Sequence, residues 1–148
     1  MNMLRVFLPL AILAGCASGS STSSDLVNAD KVSYRALIAA KRDEPALRLL
    51  LSDTTHGLRL ISGSETRYFA ADGKALFLSQ NGTRVVSGEW TILPTRVFGY
   101  FVCASRGRLP EPMAGKALVE NCRSVEEFVG VADHLSKGDP LGLKQKPQ

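Results

Sequence analysis

Groups from which active sites and metal centres are built are scarce in this chain. Among 148 residues there are two histidines, His56 and His134, and three cysteines, Cys16, Cys103 and Cys122. The histidines stand far apart from each other and from any cysteine pair, so neither spacing nor number suits a zinc site. Each is expected to be a surface or partly buried side chain. No Gly-x-Ser-x-Gly elbow is present, which removes the commonest serine-hydrolase signature. Long apolar runs are lacking too: Val6 to Ala14 is broken by Pro9, and a permanent membrane helix needs about 20 apolar residues. No internal repeat is visible, which excludes solenoids and propellers. Carboxylates such as Glu65, Asp72 and Glu89 fall near hairpin ends, where they are expected to be solvated rather than paired for acid–base work. The chain is therefore read as non-catalytic, with no cofactor and no metal.

What is present begins at the amino terminus. Arg5 is the only charge before Asp25, and the short apolar stretch after it ends in small residues, "LAILAGCASGSS". A positive start, a short hydrophobic middle and small residues at a cut point describe a secretory signal peptide. Leu13-Ala14-Gly15-Cys16 resembles the lipobox of bacterial lipoprotein precursors. The resemblance implies that residues 1–15 are cleaved and that the Cys16 thiol carries a diacylglycerol. It also implies that the new amino terminus is acylated, since two or more chains anchor a protein stably where one does not. The alternative is an ordinary cleaved signal whose cysteine is incidental. By resemblance to lipoprotein sorting, Ala17 in place of an aspartate directs the protein to an outer membrane, facing the periplasm.

Lipidation of Cys16 leaves Cys103 and Cys122 as an even pair. An exported chain meets an oxidising compartment where disulfides persist, so a Cys103–Cys122 bridge is expected, with two buried free thiols as the alternative. Residues 16–30, the lipidated cysteine followed by "ASGSSTSSDLVNAD", are rich in serine and poor in large apolar groups, and read as a flexible tether. Residues 31–148 are long enough for one domain.

Within that domain, Val32 to about Lys41 is helical in pattern. A second helix starts near Pro45, with Asp43 as its cap and Leu47, Leu50 and Leu51 on its inner face. The periodicity then becomes that of strands. An opening strand is expected in "HGLRLI", His56 to Ile61. Asp72-Gly73 and Asn81-Gly82, each flanked by apolar or aromatic residues, are strong hairpin signals. Asn81-Gly82-Thr83 also matches a glycosylation acceptor, but the turn reading takes precedence.

With both turns as two-residue loops, Tyr68 lies opposite Phe77 and Phe77 opposite Val86, and the same face continues through Gly88, Trp90 and Ile92. The other face carries Phe69, Leu76, Leu78 and Val85, with Arg67 and Glu89 at its margins. Both faces are partly apolar, so both need cover. A further strand is expected from Arg96 to Ala104 and another in "ALVENC". Ser124-Val125-Glu126-Glu127 has the form of a capping box, which favours a helix from Val125 to Leu135 over a strand. "SKGDPLGLKQKPQ" reads as a turn and a loose basic tail. The fold class is thus α+β: a small curled antiparallel β-sheet or partly open barrel with N-terminal helices and, on the helical reading, one C-terminal helix.

Between Leu47 and Cys122, the segments "LLLSDTTHG", "RYFAADGK", "SGEWTI" and "YFVC" with a later second cysteine resemble a group of small exported bacterial proteins. These carry a domain of unknown function with a Tyr-Phe and Asp-Gly hairpin, a Gly-x-Trp strand and two later cysteines. The resemblance implies a small envelope β domain and assigns no catalytic residue.

The formal net charge is +4, of which Arg5 supplies one. Arg67, Arg84, Arg96, Arg106 and Arg108 concentrate in the strand region, suited to anionic headgroups, the cell wall or an acidic partner protein; ordinary charged sheet edges give the same pattern. Export removes nucleic acid as the usual partner. Two functions follow as expectations. One is a lipid-tethered structural, assembly or interaction protein of the envelope. The other is a small barrel that holds a ligand, or inhibits an extracellular hydrolase, with Tyr68, Phe77 and Trp90 lining its interior.

Overall fold

The computed structural model describes residues 31–79 and 82–148. The signal, the Cys16 motif, the serine-rich tether and Asn81 lie outside the described residues. Two short helices come first. Helix α1 (Tyr34–Ala39) is capped by Ser33, whose hydroxyl accepts the Ala36 N–H at 3.3 Å. Helix α2 (Glu44–Leu51) starts where Pro45 permits, with Asp43 accepting the Ala46 N–H at 3.1 Å. Its Leu47 and Leu51 are buried and Leu50 half-buried, as the spacing requires.

Then follow β1 (Thr54–Leu60), β2 (Gly63–Phe69), β3 (Lys74–Leu78), β4 (Val85–Pro94), β5 (Tyr100–Arg106), α3 (Lys116–Asn121), β6 (Cys122–Ser124), α4 (Val125–Val131) and β7 (Ala132–Lys137). All seven strands form one sheet in the order β6-β5-β4-β3-β2-β1-β7, each neighbouring pair antiparallel. The sheet curls into a half-barrel, so the α+β class with a small curled antiparallel sheet holds. Helices α1, α2 and α4 fill its concave side: Leu37, Leu47, Leu51 and Phe128 pack with Phe69, Phe77, Trp90 and Ile92 of the strands in one core.

The first hairpin corrects the expected register. Ala70 N–H donates to the Lys74 carbonyl at 2.9 Å, and Gly73 takes a φ of +87°. Residues 71–73 therefore make a three-residue turn, and Phe77 lies opposite Arg67 rather than Tyr68. A slip of one residue sends every side chain of a strand to the other face. Phe69 thus enters the core and stacks on Trp90 with centroids 4.7 Å apart. Tyr68 points to the convex side, where it is buried with Val85 and Leu143. The second hairpin keeps the expected pairing, Phe77 with Val86 and Leu78 with Val85. Gly88 is required here, because a Cβ on it would lie 2.1 Å from the Ser105 carbonyl oxygen and 2.6 Å from the Phe77 ring.

Three further expectations change. The Arg96–Gly99 segment is the β4–β5 turn, closed by Thr95 N–H to Gly99 O at 2.6 Å, so the strand starts at Tyr100. "ALVENC" is helix α3 up to Asn121, with only Cys122 entering a strand. The region after Cys122 is both helix and strand: the Ser124/Glu127 capping box starts α4, which ends at Val131 and gives way to β7 alongside β1. Nor is the tail loose. Leu143 is 1% exposed, Asp139 accepts the Leu143 and Lys144 N–H groups, and the Pro147 carbonyl accepts Val85 N–H at 2.9 Å.

The Cys103–Cys122 disulfide joins β5 to β6 at directly paired positions, 19 residues apart in sequence. Closing that loop stabilises the fold by about 3 kcal/mol on the chain-entropy model. Replacing both cysteines by serine should lower the urea-unfolding free energy by about that amount; an unchanged midpoint would show that the bridge constrains nothing.

Candidate functional site

The curl of the sheet brings β2 and β5 face to face across its concavity, although two strands separate them in hydrogen-bonding order. At the open end of that concavity lies a cleft of about 330 Å³. Its walls are Arg67 and Glu65 on β2, Phe77 on β3, Arg106 on β5 and Arg123 on β6, with Phe128 of α4 behind them. The register slip described above is what places Arg67 here, beside Phe77 on the inner face. Its guanidinium lies 5.3 Å from the Phe77 ring centroid, and that of Arg106 lies 5.9 Å from the same ring.

Glu65 is the one carboxylate inside this group. It accepts from Arg67 through Oε1 and from Arg106 through Oε2, the latter at 3.1 Å. The Arg67 and Glu65 side chains are only 13% and 16% exposed. Burial depresses the Arg67 pKa; Glu65 opposes this, and the positive charges of Arg123 and Arg106 add to it. Arg67 Nε is buried without a hydrogen-bond partner among the described residues. Arg123 is half-buried and enters no ion pair among them. At the rim, Glu120 is exposed and paired with Lys116 at 3.5 Å.

The residues singled out from sequence sort differently. Phe77 and Trp90 share the core, but Tyr68 does not join them. Its hydroxyl donates to Asp53 Oδ1 on the convex side, and Lys144 Nζ sits 4.6 Å from its ring centroid. The interior expected between these three aromatics is filled by the Phe69–Trp90 stack. Glu65 is not a solvated hairpin carboxylate, whereas Asp72 is exposed with Lys74 at 3.2 Å. Glu89 accepts the Leu109 N–H at 2.8 Å. A two-residue turn puts Arg67 on the face opposite Phe77; the three-residue turn pairs the two. Glu65 and Arg123 carry no sequence signal, since their meeting depends on the curl.

His56 is fully buried, against the expectation of a surface or partly buried ring. It packs edge-on to Phe69 and Phe128 at 4.3 and 5.1 Å. Thr54 donates its hydroxyl to the Leu51 carbonyl, so its oxygen accepts from His56 Nε2–H, which leaves Nδ1 unprotonated and without a partner among the described residues. His134 is exposed on β7 and lies over Gly57. Among the described residues, no group of three or more His, Cys, Asp or Glu side chains could hold a metal ion.

A second surface lies at the β4–β5 turn. Val97 and Phe98 are 68% and 60% exposed. Val97, Phe98, Phe101, Met113 and Leu118 line a shallow depression of about 630 Å³. Arg42 and Arg96, both exposed, border a smaller hollow that shares the turn with it.

Burial, then the charges of Arg67, His134 and Lys137, hold the His56 pKa well below its usual 6.5. The ring stays neutral in the fold, while the unfolded chain takes up a proton as pH falls through about 6.5. Stability contributed by His56 is therefore full above that pH and declines below it, by up to about 1.4 kcal/mol per pH unit. Urea unfolding between pH 7.5 and 5 should show this decline, and His56→Gln should flatten it. An equal slope in the variant would assign the decline to other groups.

In comparisons with known proteins, no family model, curated protein or solved structure matches the chain.

Proposed function

We propose that the chain is a lipid-anchored protein of the bacterial cell envelope, held at the outer membrane facing the periplasm. Its role is structural or interactive rather than catalytic. The anchor rests on Leu13-Ala14-Gly15-Cys16 and on Ala17. The paired Cys103 and Cys122 agree with an oxidising compartment. Among the described residues no helix is long and apolar enough to cross a membrane, so membrane attachment is assigned to the lipid.

The observation that carries the interaction role is the β4–β5 turn with its exposed Val97 and Phe98, which share one depression with Phe101, Met113 and Leu118. Apolar side chains grouped this way at the surface mark contact sites, whereas scattered ones do not. Arg42 and Arg96 at the margin select for acidic neighbours. The occupant is accordingly an envelope protein presenting an apolar segment flanked by acidic residues.

A Cys16→Ser variant should lose labelling by radioactive fatty acid and leave the membrane fraction; retention of both would overturn the anchor. For the contact surface, the test is p-benzoylphenylalanine placed at Phe98 in intact cells. One discrete adduct with an envelope protein is expected, abolished by Val97→Asp, and none from the same probe at Leu49, which is more exposed still on α2. No adduct at Phe98, or the same adduct from Leu49, would remove the turn from the role given to it.

A further inference from the structure

We infer that the arginine cleft at the open end of the half-barrel is a binding site for a small organic carboxylate with an apolar body. This inference stands apart from the lipid anchor and from the β4–β5 surface. Three guanidiniums, Arg67, Arg106 and Arg123, converge on it. One carboxylate, Glu65, is shared between the first two. With the exposed rim carboxylate Glu120 counted as well, the cleft keeps an excess of one positive charge.

Such an arrangement is costly without a ligand. A buried charge is tolerated when it is paired and its remaining donors are satisfied. Among the described residues Arg67 Nε has no acceptor, and Arg123 enters no ion pair while it repels Arg67. Guanidiniums offer the parallel N–H pairs that a carboxylate accepts two at a time. An anion between Arg106 and Arg123 would relieve the repulsion that Glu65 alone leaves in place.

The apolar part of the ligand follows from the walls. Phe77, Val102, Ala104 and Phe128 border the same cleft, which inorganic anions would leave in contact with water. A volume of about 330 Å³ is at the small end of the roughly 300–1,000 Å³ of ligand sites. That suits a short aliphatic or single-ring acid rather than a long lipid chain. Asn121, also at the cleft, donates its amide N–H to the Ala117 carbonyl at 2.8 Å and keeps its amide oxygen for a second polar function.

The test is calorimetric titration of the purified full-length protein with acetate, hexanoate, hexylammonium and inorganic phosphate. Hexanoate should bind about tenfold more tightly than acetate, and hexylammonium should not bind. Arg123→Gln, at a half-buried position with no ion pair to lose among the described residues and a repulsion of Arg67 to relieve, should weaken hexanoate about tenfold at a melting temperature no lower than the parent's. Glu65→Gln, which frees two guanidiniums, should tighten it, and hexanoate should raise that variant's melting temperature more than the parent's. Absence of binding by every probe at 10-fold molar excess over about 1 mM protein would overturn the site. Binding of hexylammonium, or hexanoate binding indifferent to Arg123→Gln, would do the same. Phosphate binding without hexanoate binding would overturn the organic ligand and leave a plain anion site.

Discussion

Side chains of a strand alternate between two faces, so the parity of a turn decides which of them meet the helices. In the β2–β3 connection that parity is odd: three residues, 71–73, separate Ala70 from Lys74. Everything on the concave side depends on it. It brings Phe69 beneath Trp90, gives α2 a surface on which Arg48 lies 5.7 Å from the indole centroid, and turns Arg67 inward. An even turn would send Tyr68 and its hydroxyl toward the helices, where Asp53 could not reach it. It would also leave Phe69 on the side covered only by the tail.

The two faces of the sheet are then closed by different means. Three helices cover the concave side with large aliphatic and aromatic groups. The convex side has only the segment after β7, which contributes Leu143 to a small cluster with Tyr68 and Val85 and is held by Asp139 and by backbone pairing with β4. Lys137 links the two regions: its ammonium donates to the carbonyls of Leu49, Leu50 and Ser52 at 2.9, 3.1 and 3.1 Å, closing the end of α2 as cations do at helix C-termini. The arginine cleft opens at the end of the concave side, backed by Phe128 of α4.

Features encoded over a few residues were legible in the sequence. Asp43 and Pro45 start α2, Ser124 and Glu127 start α4, the pairing of Phe77 with Val86 is the one that the Asn81-Gly82 signal predicts, and the cysteine count left one pair, which is bonded. Features that depend on distant parts were not. Asp72-Gly73 fits a two-residue turn and a three-residue one, and nothing local distinguishes them; the difference is decided by whether Phe69 or Tyr68 packs better against α2. "ALVENC" has strand-forming Val119, but that side chain is exposed on α3, and its Ala and Leu serve a helix as well. Glu65, Arg106 and Arg123 are separated by long stretches of chain, and only the curl of the sheet unites them. His56 is buried because α4 places Phe128 over it, which no pattern around residue 56 announces.

One feature at the start of the domain bears on how partners can attach. Lys31 bridges to Ser136, and Val32 N–H donates to Leu135 O at 3.0 Å, so the outer side of β7 is already taken at its centre. At the opposite edge β6 is three residues long and runs straight into α4. Exposed sheet edges invite another chain to add a strand. With both margins blunted, recognition by backbone ladder has little purchase here, and selectivity falls to side chains alone.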